Sequence, residues 1–303
     1  WQVYDYKSLL QKLIGKGWFL YEVVYLALSI LIIAVMAAAA GEILYTTFGF
    51  TKWIGVMAII VVVGFLNYKG DETIARLETI GTVALFATYL VFSLRIFSSK
   101  GELIRQTFIN WNTSYLADPP TLLLVISTGI LYVGYNLGVY PASFFTYKLL
   151  HTKRQSIVAG LVAGLLMTIP WFLTYFALMA FYPDEQILGS SVPWLSMLKG
   201  FPPGFLVAFG VVVGWTLIET ATGVIHGFIT RISAEAERKG KVLRKITKAY
   251  ISIGALLAAL LLAQVGIIDL VAKGYTWMAY AMIAVYALPL IYHAPVLLFT
   301  RKR

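Results

Sequence analysis

The residue that most clearly invites chemistry is Glu219. It stands in the run Gly214-Trp215-Thr216-Leu217-Ile218-Glu219-Thr220-Ala221-Thr222-Gly223-Val224-Ile225-His226-Gly227. Residues three and four apart share a helix face, so Glu219, Thr222 and His226 form one polar stripe, with Thr216 above it. A carboxylate beside hydroxyls can hold a cation, accept a proton or bind a substrate amine. Glu219 lies about fifteen positions into an apolar span that starts near Gly204. That depth is close to a bilayer centre, where an ionisable group costs several kcal/mol unless paired, hydrated or neutralised. Function is therefore favoured over a glutamic acid that only holds helices together. His226 is weaker, being nearer the end of the span.

The second stretch is Ser127 to Pro141, within a span of about 121–147, with Gly129, Gly134, Gly138, Asn136 and Pro141 near its middle. Glycine and proline weaken a helix there, and Asn136 needs a partner in hydrocarbon. Irregular backbone at that depth is tolerated only where it faces protein or a water-filled cavity. Broken helices at the midplane are the sequence pointer to a transporter's binding site. The candidate substrate residues are Gly134, Tyr135, Asn136 and Gly138, where the helix would open, with Tyr132 and Tyr140 shaping the pocket. The alternative is that the glycines only let a neighbouring helix approach. Both stay open at this point.

Other polar residues have plainer explanations. Glu22 and Glu42 sit near the ends of the first span, and Arg76 and Glu78 meet an interface. Thr79 and Thr82, deeper on the helix of Glu78, could face a cation site, though bonding their own helix carbonyls is the commoner option. Gln264 and His293 read as packing contacts, and Gly160-x-x-x-Gly164 and Gly210-x-x-x-Gly214 as close helix crossings. The chain has no cysteine and only three scattered histidines, so thiolate chemistry and metal-ligand spacing are both excluded. It has no phosphate-cradling loop and no Ser/His/Asp or His-Glu-x-x-His pattern. No enzyme is expected, and no cofactor beyond a coupling ion, sodium or a proton.

These residues must be positioned by membrane helices. Of 303 residues, 60% are hydrophobic and 13% charged, against about half and about a quarter in soluble globular chains. Apolar stretches long enough to cross a bilayer fall at about 18–47, 52–68, 74–98, 121–147, 156–182, 204–230, 246–268 and 275–300. An all-α protein of eight spans follows, a single polytopic domain over 1–303. On alternate sides the loops and ends carry eighteen Lys and Arg against six. Cytoplasmic loops hold the excess, so both ends should be cytoplasmic, in a cell (inner) membrane. The same placement accounts for the net charge of +10 without a nucleic-acid partner. The partners implied are the lipid bilayer and a small-molecule substrate; the oligomeric state is left open.

Residues 1–16 alternate apolar and basic side chains, as an interfacial amphipathic helix would. The run Ala37 to Gly41 permits close packing. Tyr182 to Pro203 is a long outer loop able to fold back as a short helix around Pro193 to Lys199, either as a lid or as an ordinary surface loop. The sequence opens at Trp1 without a methionine or leader-like segment, and an upstream continuation is expected.

Three segments together resemble the YkvI-type bacterial membrane proteins: Tyr4-Asp5-Tyr6-Lys7-Ser8 leading to Gly15-Lys16-Gly17-Trp18, the run Gly129 to Pro141, and Glu219-Thr220-Ala221-Thr222-Gly223. These proteins are placed among the amino acid, polyamine and organocation (APC) transporters with the LeuT fold. The resemblance covers essentially the whole chain. It implies ten helices in two inverted five-helix repeats, with helices one and six broken at the substrate. The eight spans would be helices three to ten, residues 18–98 the rest of the first repeat, and 121–300 the second, with 121–147 on broken helix six. Helices one and two would precede Trp1. On fold helix eight the familiar sodium site uses neighbouring hydroxyls, which makes Thr220 and Thr222 ion-coupling candidates beside Glu219. Their spacing departs from the adjacent pair of the best-known members. No lysine lies within 74–98, unlike some proton-coupled relatives. The function implied is an ion-coupled secondary transporter, a symporter of an amino acid or amine-like solute working by alternating access. The rival is a non-transporting ligand-sensing receptor subunit on the same fold.

Overall fold

In hydrocarbon every backbone N–H and C=O must be satisfied within its own segment, which leaves a run of Leu, Ile, Val and Ala little choice but helix. The computed structural model describes residues 6–69, 71–140 and 150–299, and among them all regular structure is helical. Eight helical stretches are long and apolar enough to cross a membrane: Tyr6–Phe48, Lys52–Lys69, Arg76–Ile109, Leu122–Tyr140, Lys153–Met179, Pro203–Arg238, Lys245–Ala263 and Ile267–His293. The number agrees with the sequence reading. Residues 1–5 of the predicted amphipathic helix, 141–147 of the predicted fourth span and residue 300 of the last lie outside the described residues.

The chain divides into two compact units, each drawing on both halves of the sequence. The first comprises Trp1–Leu31, Pro120–Gly160 and Ile268–Arg303. Here α1 (Tyr6–Ile14) turns through a 3-10 segment, Gly15–Gly17, into α2 (Trp18–Phe48). The positive φ of Gly15, 58°, is a left-handed conformation that favours glycine. The apolar face of α1 is covered by its own unit, with Leu10 and Leu13 buried and α13 (Leu288–Phe299) alongside. Helix α5 (Leu122–Asn136) packs on α12 (Thr276–Met282). The last span interrupts its α-helix twice with π segments, Leu270–Tyr275 and Ile283–Ala287.

The second unit comprises Ile32–Pro119 and Leu161–Ile267. Its centre is α9 (Pro203–Arg238), which packs along α4 (Asp71–Ile109) and α3 (Lys52–Lys69), while α10 (Lys245–Ala263) packs on α3. The buried seam of α9 reads Leu217, Ala221, Ile225, Ile229, a strict one-turn repeat that faces protein on one side only. Helix α4 continues past its predicted end and kinks at Lys100 (φ −130°, ψ 15°). In the long loop after α6, following a one-turn helix α7 (Glu185–Leu188), α8 (Pro193–Leu198) forms where a short helix is expected. Trp194, Leu195, Met197 and Leu198 are all buried. The Trp194 indole N–H donates to Thr174 Oγ1 at 3.1 Å, and its ring meets Tyr89 edge-on at 5.4 Å and Phe209 at 5.9 Å.

The glycine pairs predicted as crossings divide unevenly. A Cβ at Gly210 would lie 3.0 Å from Thr47 Oγ1, a close approach to α2. Gly160 and Gly164 on α6 (Lys153–Met179), and Gly214, have nothing within 4 Å among the described residues. Among the described residues no helix makes the crossing expected at Gly160-x-x-x-Gly164. Both are exposed, on a helix whose apolar surface needs no protein cover in lipid.

Candidate ion site on the second unit

The site forms where α4 and α9 run side by side, closed by α3. Glu78, Thr82, Trp215, Glu219 and Thr222 share it because each follows another on its own helix by three, four or seven residues, the spacing of one face. A cavity of about 170 Å³ is lined by Val62 and Leu66 of α3, Ile74, Leu77 and Glu78 of α4, and Trp215, Ile218, Glu219 and Thr222 of α9. Apart from Thr222, the two carboxylates are set among apolar and aromatic side chains.

Glu219 is half-buried. Its Oε1 accepts from the Thr82 hydroxyl at 3.4 Å, while Oε2 is buried without a hydrogen-bond partner among the described residues. An unpartnered buried carboxylate oxygen is costly and calls for a positive group. The Trp215 indole N–H is turned to the Leu77 carbonyl at 3.4 Å. Glu78 and Glu219 lie within electrostatic reach of one another, as do Glu78 and His226. The Thr230 hydroxyl is 3.4 Å from His226 Nε2. Two carboxylates on one apolar cavity can together take up one positive charge, a proton or a small cation, and either charge also draws the helices together.

The sequence candidates sort accordingly. Glu219 and Thr222 line the cavity; Thr220 does not. Thr222 is buried and donates to the Ile218 carbonyl at 2.7 Å, which leaves an oxygen lone pair free for a cation. Sequence reads Glu78 as meeting an interface and leaves Thr82 between a cation site and its own helix carbonyls, whereas Glu78 is a cavity wall and Thr82 reaches across to Glu219 on α9. The available signal was a shared spacing, a glutamate one turn ahead of a glycine on each helix: Glu78 before Gly81, and Glu219 before Gly223.

The candidate substrate residues belong to the first unit. The α-helix ends at Asn136, and residues 137–140 continue as 3-10 turns. Asn136 Nδ2 donates to the Tyr132 carbonyl at 2.7 Å, so the asparagine satisfies its own helix. A Cβ at Gly134 would lie 2.9 Å from Ile283 Cδ1, and one at Gly138 would overlap the Leu28 side chain. At these two positions the glycines admit packed neighbours. Tyr132 and Tyr135 meet edge-on at 5.4 Å, and Tyr135 stacks on Tyr275 at 5.0 Å. Tyr140 meets Tyr286 at 5.5 Å, and Tyr286 meets Tyr21 at 5.6 Å. Tyr21 continues to Tyr6 and Tyr25 at 5.6 and 6.1 Å. Tyr275 and Tyr286 both stand in the π segments, whose wide turns bring them onto this tyrosine lattice.

No family model, curated protein or solved structure matches the chain.

Proposed function

We propose that this chain is an ion-coupled secondary transporter of a small organic solute, an amino acid or amine, akin to the YkvI-type members of the APC superfamily and built on a LeuT-like bundle. The observation that carries the reading is the cavity shared by Glu78 and Glu219. A soluble fold places carboxylates in water; two of them between membrane-crossing helices mark a path or site for positive charge. The coupling ion, sodium or a proton, binds there, with Thr82 and Thr222 as neutral oxygen donors. The solute binds on the Leu122–Tyr140 span, where α-helix gives way to 3-10 turns, and Tyr132, Tyr135 and Tyr140 shape its pocket. Alternating access then moves one helix group against the other, in a cell membrane with both ends of the chain cytoplasmic.

The test is uptake of a radiolabelled amino acid and amine panel into proteoliposomes under an imposed sodium or proton gradient. Uptake driven by one gradient, and made at least tenfold less responsive to it by Glu219→Gln, is the expected result. Binding of a panel member without flux under either gradient would overturn transport in favour of a sensing receptor. Because the chain has no native cysteine, single cysteines at Lys16 and Lys241 report sidedness directly. Both should label from the cytoplasmic face.

A further inference from the structure

On α4 and α9 each carboxylate is seated where the opposite helix has no side chain. A Cβ built at Gly81 would overlap Glu219 Oε2 and lie 2.8 Å from Trp215 Cδ1 and Nε1. A Cβ built at Gly223 would lie 2.8 Å from Glu78 Oε1 and 3.9 Å from its Cδ, with nothing else within 4 Å. Residue 78 faces 223 and residues 81 and 82 face 219, so the register runs in opposite directions on the two helices. The two seats therefore repeat each other: glutamate, one turn, glycine, against glycine, one turn, glutamate. A glycine inside a helix is less favourable than an alanine. Two of them opposite the two carboxylates need a reason, and the atoms they make room for are carboxylate oxygens.

Resting on the reading of Glu78 and Glu219 as the coupling site, we propose that Gly81 and Gly223 are positioning residues. They hold the two carboxylates against bare backbone so that the pair binds its cation as one unit. The lining explains why room matters. Val62 and Leu66 on α3 offer no donor, so the α3 wall gives a carboxylate pushed out of its seat no hydrogen bond. Among the described residues, the titratable neighbour within electrostatic reach of Glu78, besides Glu219, is His226 on α9. At Gly223 only the end of a flexible side chain has to move, so alanine there displaces the Glu78 carboxylate and leaves the helix crossing intact. At Gly81 the Trp215 indole must also give.

The experiment uses the full chain in lipid nanodiscs and follows the carboxyl infrared bands while protons, and separately Na+, are titrated. Gly223→Ala should change the half-response concentration of whichever cation binds by at least tenfold, with the thermal unfolding midpoint within a degree or two of the parent protein. On a Glu78→Gln background the same substitution should add nothing, because its effect passes through that carboxylate. In Gly223→Ala, Glu78→Asp, shorter by one methylene, should recover most of the parent response. Gly81→Ala with Glu219→Gln and Glu219→Asp gives the second, independent series. An equal effect of Gly223→Ala with and without the Glu78 carboxylate, or no effect from either alanine, overturns the proposal. If Glu78→Gln and Glu219→Gln titrate as the parent does, the coupling-site reading itself falls and takes this inference with it. If the glycine series behaves as expected while proteoliposomes move no solute, transport falls and the seats stand.

Discussion

Two helix crossings in the second unit are each built on a pair of glycines, and they differ in what the glycines admit. Between α2 and α3 a Cβ at Gly55 would lie 2.6 Å from both the Ala40 carbonyl oxygen and Gly41 Cα, and one at Gly41 would lie 2.7 Å from the Lys52 carbonyl oxygen. There backbone meets backbone, and an ion pair from Lys52 to Glu42 at 2.5 Å closes the hairpin. Between α4 and α9 the space at Gly81 and Gly223 is taken by carboxylates. Small residues in a membrane helix thus mark closeness without saying to what. A glycine against backbone is structural, whereas a glycine against a half-buried carboxylate on a cavity points to a site.

The contrast can be broken by substitution. Gly55→Ala should be the most damaging, since backbone cannot rotate away. A loss of about 3 kcal/mol, seen as a thermal midpoint several degrees lower in detergent or as failure to accumulate, is expected. An unchanged midpoint would erase the distinction between the crossings. Gly81→Ala should cost no more than about 1 kcal/mol, as overpacking of a side-chain end and one indole is partly offset by alanine's helix propensity. Thr82→Val removes a long, exposed hydroxyl bond to Glu219 and should cost about 0.5 kcal/mol or less, read most easily as a cation affinity weakened two- to threefold. Gly164→Ala, facing open space, should be neutral or stabilising by a few tenths of a kcal/mol. A destabilisation there would mean that a partner covers α6.

Much of the fold was legible from hydropathy alone, because hydrocarbon forces helix on any long apolar run. The span number follows from it, while the fold-back helix near Pro193 was legible in the loop's own residues and the close packing at Ala37 to Gly41 in its run of small ones. Glu219 was legible because charge at mid-span is expensive. Glu78 was not. It stands near a helix end, where water makes a carboxylate cheap, and only the antiparallel register of α4 on α9 carries it to the cavity. Gly160 and Gly164 misled for the opposite reason: periodicity finds a face, but lipid is as apolar as protein and does not tell which faces are covered. What packs against Gly134 and Gly138 comes from far along the chain, Ile283 and Leu28, which no local pattern announces.

The π segments of the last span have a consequence of their own. Each π turn holds one residue more than an α turn, and one residue turns an α-helix by about 100°. The stretch between Leu270 and Ala287 therefore behaves as a gearbox: the faces before and after it are phased by two inserted residues. Tyr275 and Tyr286 each sit in an insertion. Closing either segment into plain α-helix at full length would swing everything downstream by about 100°, off its tyrosine partners, whereas deleting one residue from it would let the α-helix form with the downstream faces kept in place.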